Sequence, residues 1–185
     1  MESLPRLVGE RVVLRPITDA DTEHIVAWRN TPSVMENFIF REKFTPEMHR
    51  HWLAAKVATG QVVQYIIEEK VTGQPVGSVY YRDMDCKNHS AEYGIFIGEP
   101  DARGKGLGTE TARLFTDFGF KTLGLHRISL RLLAENLPAR RSYEKAGFVL
   151  EGTFHDMVLL EGRYRDVVFM AKLSPNPADS DRVGE

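Results

Sequence analysis

Along the chain, apolar positions switch between a two-residue and a three-to-four-residue spacing, and the switches divide it into elements. Residues Arg11 to Pro16 alternate as a strand that stops at a proline, which has no amide to donate to a ladder. Thr18 followed by Asp21 has the form of a capping box and opens a helix to about Asn30, with Ala20, His24, Ile25 and Trp28 on its apolar side. Thr45-Pro46-Glu47 starts a second helix that ends near Gly60: a capping hydroxyl, a proline where its missing N–H is harmless, and an acid at the positive end of the dipole. Strands follow over Val62 to Glu69, Pro75 to Arg82 and Ala91 to Gly98, rich in β-branched and aromatic residues and read as consecutive antiparallel neighbours.

The helical period returns at Leu107, Thr111, Leu114, Phe115 and Phe118, with Gly124 at its end. His126 to Leu133 reads as a strand and Asn136 to Ala146 as a short helix. Val149 to Leu160 and Arg163 to Leu173 then form a hairpin about Glu161-Gly162. The fold class is α/β (α+β): one central, mostly antiparallel mixed sheet of about seven strands flanked by about four helices. Residues 1–173 are expected to form one domain, and 174–185, with two prolines and scattered acids, a disordered tail.

Charge and composition remove several function classes. Lysine and arginine number 24 against 26 acids, a formal net charge of -2, so nothing draws the chain as a whole to nucleic acid or anionic lipid. The first residues lack the apolar core of a secretory signal, and no run of about 18 apolar residues exists to span a membrane. Cys86 is the only cysteine and has no disulfide partner within the chain, which fits a reducing, cytoplasmic setting. His49 and His51 are two apart and diverge on a helix, so no metal is expected.

The stretch Pro100-Asp-Ala-Arg-Gly-Lys-Gly-Leu-Gly-Thr-Glu-Thr-Ala112 carries candidate chemistry. Glycines at 104, 106 and 108 bare the backbone between a strand and a helix, so amides can converge on an anion, and the helix start adds its own free donors. The spacing fits neither a Walker loop nor a dinucleotide fingerprint, and a glycine-rich turn without a ligand is the plainer alternative.

Arg103-Gly-Lys-Gly106-Leu-Gly108 resembles the Arg/Gln-x-x-Gly-x-Gly/Ala signature of the GNAT superfamily of acetyl-CoA-dependent acyltransferases. Asn136 and Ser142-Tyr-Glu-Lys-Ala-Gly-Phe148 resemble the later half of that pattern. Glu161-Gly-Arg-Tyr-Arg-Asp166 is similar to the branch with ribosomal-protein and spermidine acetyltransferases. The resemblance spans roughly Glu10 to Leu173. It implies that Arg103, Gly104, Lys105, Gly106, Leu107, Gly108 and Thr109 bind the pyrophosphate of acetyl-CoA. It also implies that a bulge in the preceding strand splays it and exposes the backbone groups of Ile95, Phe96 and Ile97 to pantetheine. Asn136 either supports the pantetheine or caps its helix.

Acyl transfer to nitrogen needs a neutral amine, donors for the developing oxyanion and help for the departing thiolate. Glu92 is the candidate proton acceptor, directly or through water, or else an ion-paired strand residue. Tyr143 matches the family's tyrosine that protonates the thiolate. The acceptor region is expected from the early helices. Trp28, Asn30 and His49, with Trp52, are similar to enzymes of nucleotide-linked amino sugars, whereas Glu36 and Ala91-Glu92 are similar to spermidine acetyltransferases. The reading is therefore an amine N-acetyltransferase acting on a polyamine or amino sugar. A protein N-terminus as acceptor, or a non-catalytic acyl-CoA sensor, stands as the alternative. The C-terminal hairpin offers a possible homodimer contact.

Overall fold

The computed structural model describes residues 4–175, so the expected tail lies, from residue 176 on, outside the described residues. One eight-stranded sheet organises the chain. Its strands are β1 (Leu7–Val8), β2 (Val12–Pro16), β3 (Val63–Glu69), β4 (Pro75–Asp85), β5 (Ser90–Ile97), β6 (Arg127–Leu133), β7 (Val149–Leu160) and β8 (Arg163–Leu173). The spatial order is β1-β2-β3-β4-β5-β6-β8-β7. Every neighbouring pair is antiparallel except β5 and β6. That parallel step requires a crossover, and α4 (Leu107–Lys121) supplies it.

The other helices are α1 (Thr22–Asn30), α2 (Pro32–Met35), α3 (Pro46–Trp52) and α5 (Leu137–Lys145). The expected capping box of Thr18 and Asp21 forms, the Thr18 amide donating to Asp21 Oδ2 at 2.8 Å, but it opens a 3-10 turn, Asp19–Asp21, that leads into α1. Thr45 Oγ1 likewise accepts from the Met48 amide and starts α3, which runs on through a wider π turn at Leu53–Val57. Two elements went unread, β1 and α2, because two and four residues are too short to establish a period.

Strand alternation sends side chains to two cores. Tyr65, Tyr81 and Tyr93 meet Phe115 and Phe118 of α4 on one face. Ile66 and Phe96 meet Ile17, Ile25 and Trp28 on the other, under α1 and α3. The first core is the larger, and Phe115 is its centre. Its ring is fully buried, stacks on Tyr81 at 4.4 Å between centroids, and its carbonyl accepts the Tyr81 hydroxyl at 2.7 Å. At the far edge β7 leaves Val149, Phe154 and Leu159 exposed.

A Phe115→Ala variant should lose about 3–5 kcal/mol of unfolding free energy, the cost of a large buried aromatic plus its cavity. Urea denaturation followed by circular dichroism reads this, and a loss below about 1 kcal/mol would show that α4 is not pinned to the sheet through this ring.

Candidate active site

The parallel ladder between β5 and β6 is short. It pairs Ser90, Ala91 and Glu92 with Arg127, Ile128 and Ser129, and after Glu92 the two strands part. The gap becomes a cleft of about 520 Å³ between β5, the glycine loop, the start of α4 and α5. The splay is as expected, but the bulge is not in β5. The register slips in β4 instead, between Arg82 and Asp85, where Asp83 adopts φ 50°.

Within β5 the backbone groups alternate. Phe96 turns its carbonyl toward β4, where a Cβ on Gly77 would fall 2.2 Å from that oxygen. In an antiparallel ladder the groups of Ile95 and Ile97 then point the other way, into the gap. The backbone role expected of Phe96 is therefore corrected: its groups belong to the β4 ladder. Its ring lines the cleft and packs edge-on against Trp28 and Phe38.

The loop after β5 turns through Gly104 (φ 73°) and Gly106 (φ 78°), the left-handed region that side chains with a Cβ avoid. Gly106 is the N-cap of α4, and no side chain caps the amides of its first turn. Those amides and the positive end of the dipole thus face the cleft unpaired. A distant residue holds the loop in place: Arg11 Nη1 donates to the Lys105 carbonyl at 2.7 Å. Arg11 Nε donates to Glu110 Oε2 at 3.0 Å, and the Arg11 amide to Glu110 Oε1 at 2.8 Å. Burial pushes the Glu110 carboxyl up, but the amides of Arg11 and Val12 and the Arg11 guanidinium outweigh it and hold it below the usual carboxylate range.

Arg103 lines the cleft, yet its donors are used within the protein: Nε to the Ile97 carbonyl at 3.0 Å, Nη2 to the Gly98 carbonyl at 3.2 Å and Nη1 to Ser33 Oγ at 2.9 Å. It fastens the loop to β5 and α2. Lys105 turns away from the cleft, with Nζ 3.6 Å from Glu69. Gly104, Gly106, Leu107, Gly108 and Thr109 line the cleft, and Thr109 Oγ1 is 2.8 Å from Ser142 Oγ, tying α4 to α5. Asn136 does two things at once: its Oδ1 caps α5 by accepting the Ala139 amide at 3.2 Å, and it forms part of the wall.

Tyr143 comes from α5 and reaches the cleft with 9% of its surface exposed, its ring edge-on to Tyr93 and Phe148. Burial, and then the neighbouring Tyr80, push the phenol above its ordinary value, so it stays protonated across the neutral range. Opposite, Glu92 stands in a row the sequence did not disclose. Register places Arg82 directly across from Glu92 and Tyr80 across from Gly94. Tyr80 lies where a side chain on Gly94 would be, 2.3 Å from a Cβ built there. Glu92 accepts from Arg82 Nε at 3.2 Å and lies 3.0 Å from Arg131 Nη2.

The residues expected to bind the acceptor do not gather here. Trp28 is buried in the second core, its Nε1 donating to Glu99 Oε1 at 2.6 Å. His49 is 1% exposed, its Nδ1 2.9 Å from Thr22 Oγ1, and burial pushes its imidazole down, toward the neutral form. Asn30 clamps Phe44 through both its amide and carbonyl, and Glu36 closes α2. None of the four lines the cleft, whereas Ser33, Asn37, Phe38, Tyr80 and Arg82 do. Strand alternation was the available signal for Tyr80 and Arg82, which share a face with Ser78.

Comparison with known proteins agrees with this geometry. The acetyltransferase (GNAT) domain family matches residues 11–149. Spermidine N(1)-acetyltransferase of Escherichia coli is 31% identical over 159 residues, covering 86% of this chain and 84% of that protein. Its counterpart in Vibrio cholerae is 28% identical, covering 86% and 91%. The crystal structure of Vibrio cholerae spermidine N-acetyltransferase in complex with CoA and spermine superposes with a TM-score of 0.83 at 25% identity, over 89% of this chain and 96% of that one. A cleft opened by a splayed strand pair, walled by a bare helix N-terminus and carrying a protonated tyrosine, together with these matches, makes the chain a member of the GNAT family of acetyltransferases.

Proposed function

We propose that this protein transfers the acetyl group of acetyl-CoA directly to the primary amine of a small molecule, with both substrates in the cleft between β5 and β6. The observation that carries the reading is the placement of the Tyr143 phenol in the same cleft as the free amides of α4 and the outward backbone groups of Ile95 and Ile97. The first-turn amides, with the backbone of the glycine loop, receive the pyrophosphate, and Ile95 and the amide of Ile97, whose carbonyl is already held by Arg103, pair with the pantetheine. Arg103 and Arg11 act through the loop they hold. The GNAT relatives named for spermidine support a polyamine among the acceptors, with an amino sugar as the second class. The exposed apolar side chains of β7 support a dimer formed through the hairpin.

In the step itself the amine nitrogen forms a bond to the acetyl carbon, the C–S bond breaks, and sulfur leaves as the thiolate of CoA. A thiol titrates near about 8.5, below a buried phenol, so full proton transfer from Tyr143 is uphill. Its contribution is a hydrogen bond to the developing thiolate, with the proton arriving later. Glu92 has its oxygens engaged by two guanidiniums, and a proton on it would displace one of them. We assign it the orientation of the amine, whose lost proton leaves to water.

Thiol release on mixing the protein with acetyl-CoA and a panel of polyamines, amino sugars, amino acids and peptide N-termini tests the reaction. Tight acetyl-CoA binding with release toward no amine would overturn it in favour of a sensor. Tyr143→Phe should lower kcat about a hundredfold or more while leaving the dissociation constant for CoA unchanged. Glu92→Gln should lower kcat/KM about tenfold or more through KM. The acidic limb of the pH–kcat profile should stay where it is, and its disappearance would restore Glu92 as the proton acceptor.

A further inference from the structure

Given the acetyl transfer proposed above, the incoming nitrogen has to be held with its lone pair toward the acetyl carbon, and Glu92 is too fully engaged to do this alone. Its Oε1 already takes Arg82 Nε at 3.2 Å and Arg131 Nη2 at 3.2 Å. Its Oε2 has Arg131 Nη2 at 3.0 Å and no other donor among the described residues, so the site open to a substrate N–H is on that oxygen. A nitrogen held by one hydrogen bond still turns about it. A second acceptor on the same side of the sheet fixes its direction.

Tyr80 is placed to supply it. It stands on β4 directly across from Gly94, which lies two residues beyond Glu92 on the same face of β5. Its ring crosses the bare backbone there: a Cβ on Gly94 would fall 2.3 Å from Tyr80 Cζ and 2.5 Å from its hydroxyl oxygen, so the phenol lies over β5 only because residue 94 is glycine. Tyr80, Glu92, Gly94 and Tyr143 all line the cleft. The Tyr80 hydroxyl has no hydrogen-bond partner among the described residues, and after burial it is the group that acts on the Tyr143 phenol. The other polar side chains on this side are tied elsewhere: Ser33 Oγ accepts from Arg103 Nη1 at 2.9 Å, and Asn37 Nδ2 donates to the Ser33 carbonyl at 3.0 Å. Positions two residues apart on a strand face are about 7 Å apart. A nitrogen bonded to two oxygens at about 2.9 Å holds them roughly 4.7 Å apart, and the length of the Glu92 side chain covers the difference.

We propose that the Tyr80 hydroxyl is the second acceptor for the incoming nitrogen: Glu92 Oε2 takes one N–H, the Tyr80 oxygen takes another, and the site thereby selects primary amines over their N-alkylated forms. The third N–H of the arriving ammonium has no acceptor on the protein and is the one given up to water, which leaves the lone pair facing the acetyl carbon. The N–C bond then forms and the C–S bond breaks. The nitrogen loses one of its two held protons as the amide forms, the CoA thiolate gains one, and the net release is a single proton. An N-methyl amine, once neutral, has one N–H and forfeits one of the two contacts. Neither contact depends on what the rest of the acceptor carries, so the arrangement serves a polyamine and an amino sugar alike.

Three matched pairs test this: spermidine against its form methylated on both terminal nitrogens, glucosamine against N-methylglucosamine, and a peptide with N-terminal alanine against the same peptide with N-methylalanine. Thiol release with acetyl-CoA gives kcat/KM for each, and the pair whose primary member reacts fastest is the one read. Tyr80→Phe, which keeps the ring, should lower kcat/KM for the primary amine about tenfold and shrink the preference over the N-methyl partner by about the same factor, with the dissociation constant for CoA unchanged. Gly94→Ala, whose Cβ displaces the Tyr80 ring, should shrink the preference in the same way. A kcat/KM of Tyr80→Phe within about twofold of the unmodified protein, or a preference for the primary amine that survives undiminished in either variant, overturns the inference and leaves acetyl transfer standing. Acetyl-CoA binding with no transfer to any amine would instead overturn the proposed reaction, and the inference with it.

Discussion

Three ladder positions, Ser90 to Glu92 against Arg127 to Ser129, join strands β1–β5 to strands β6–β8, and everything at the site depends on their being so few. A longer parallel ladder would satisfy the outward groups of Ile95 and Ile97 within the sheet and close the cleft. A shorter one would leave the two halves held by side chains alone. Side chains do reinforce the join: Tyr93 of β5 packs against Tyr143 and Phe148, and Arg131 of β6 reaches Glu92 across it. The sheet therefore pairs where α4 presses on it and opens where the helix begins.

The opened backbone would be costly if nothing else satisfied it, since buried amides and carbonyls without partners destabilise a fold. Arg103 answers part of that by donating to the Ile97 and Gly98 carbonyls, and so the loop and the strand end move as one body. Arg11 does the same from the other side through the Lys105 carbonyl and Glu110. Two arginines thus hold the glycine loop from behind while its amides stay unpaired in front. The positive φ values of Gly104 and Gly106 carry little penalty because no Cβ is present, so rigidity comes from the arginines and bareness from the glycines.

Much of this was legible in the residues. The amphipathic period from Leu107, the capping Thr45 and Asn136 and the hairpin at Glu161-Gly162 all depend on neighbours close in the chain, and the structure has each within a residue or two. The glycine loop was legible for the same reason, since backbone bareness is local. Contacts across the fold were not. Arg11 and Glu110 are 99 residues apart, and no periodicity links them. Arg82 meets Glu92 only because the slip in β4 sets the register, and a slip of one residue would have turned Arg82 to the other face. Trp28 and His49 carry side chains that suit either a core or a ligand, and burial, a tertiary property, settles them as core.

The two ends of the cleft differ in how they treat charge. At the loop end the donors turned to the cleft are backbone amides, and two side-chain cations of the loop are spent on structure, Arg103 on carbonyls and Lys105 beside Glu69. That end can be shared by proteins with different side chains, because amides are common to all of them. At the other end the side chains themselves carry the charge, on Glu92, Arg82 and Arg131. A substitution there acts on the charge of that end and not on the amides of the loop. Acceptor choice can therefore diverge among chains that keep the same fold and the same acyl donor, and likeness at about 30% identity carries the reaction more firmly than the amine.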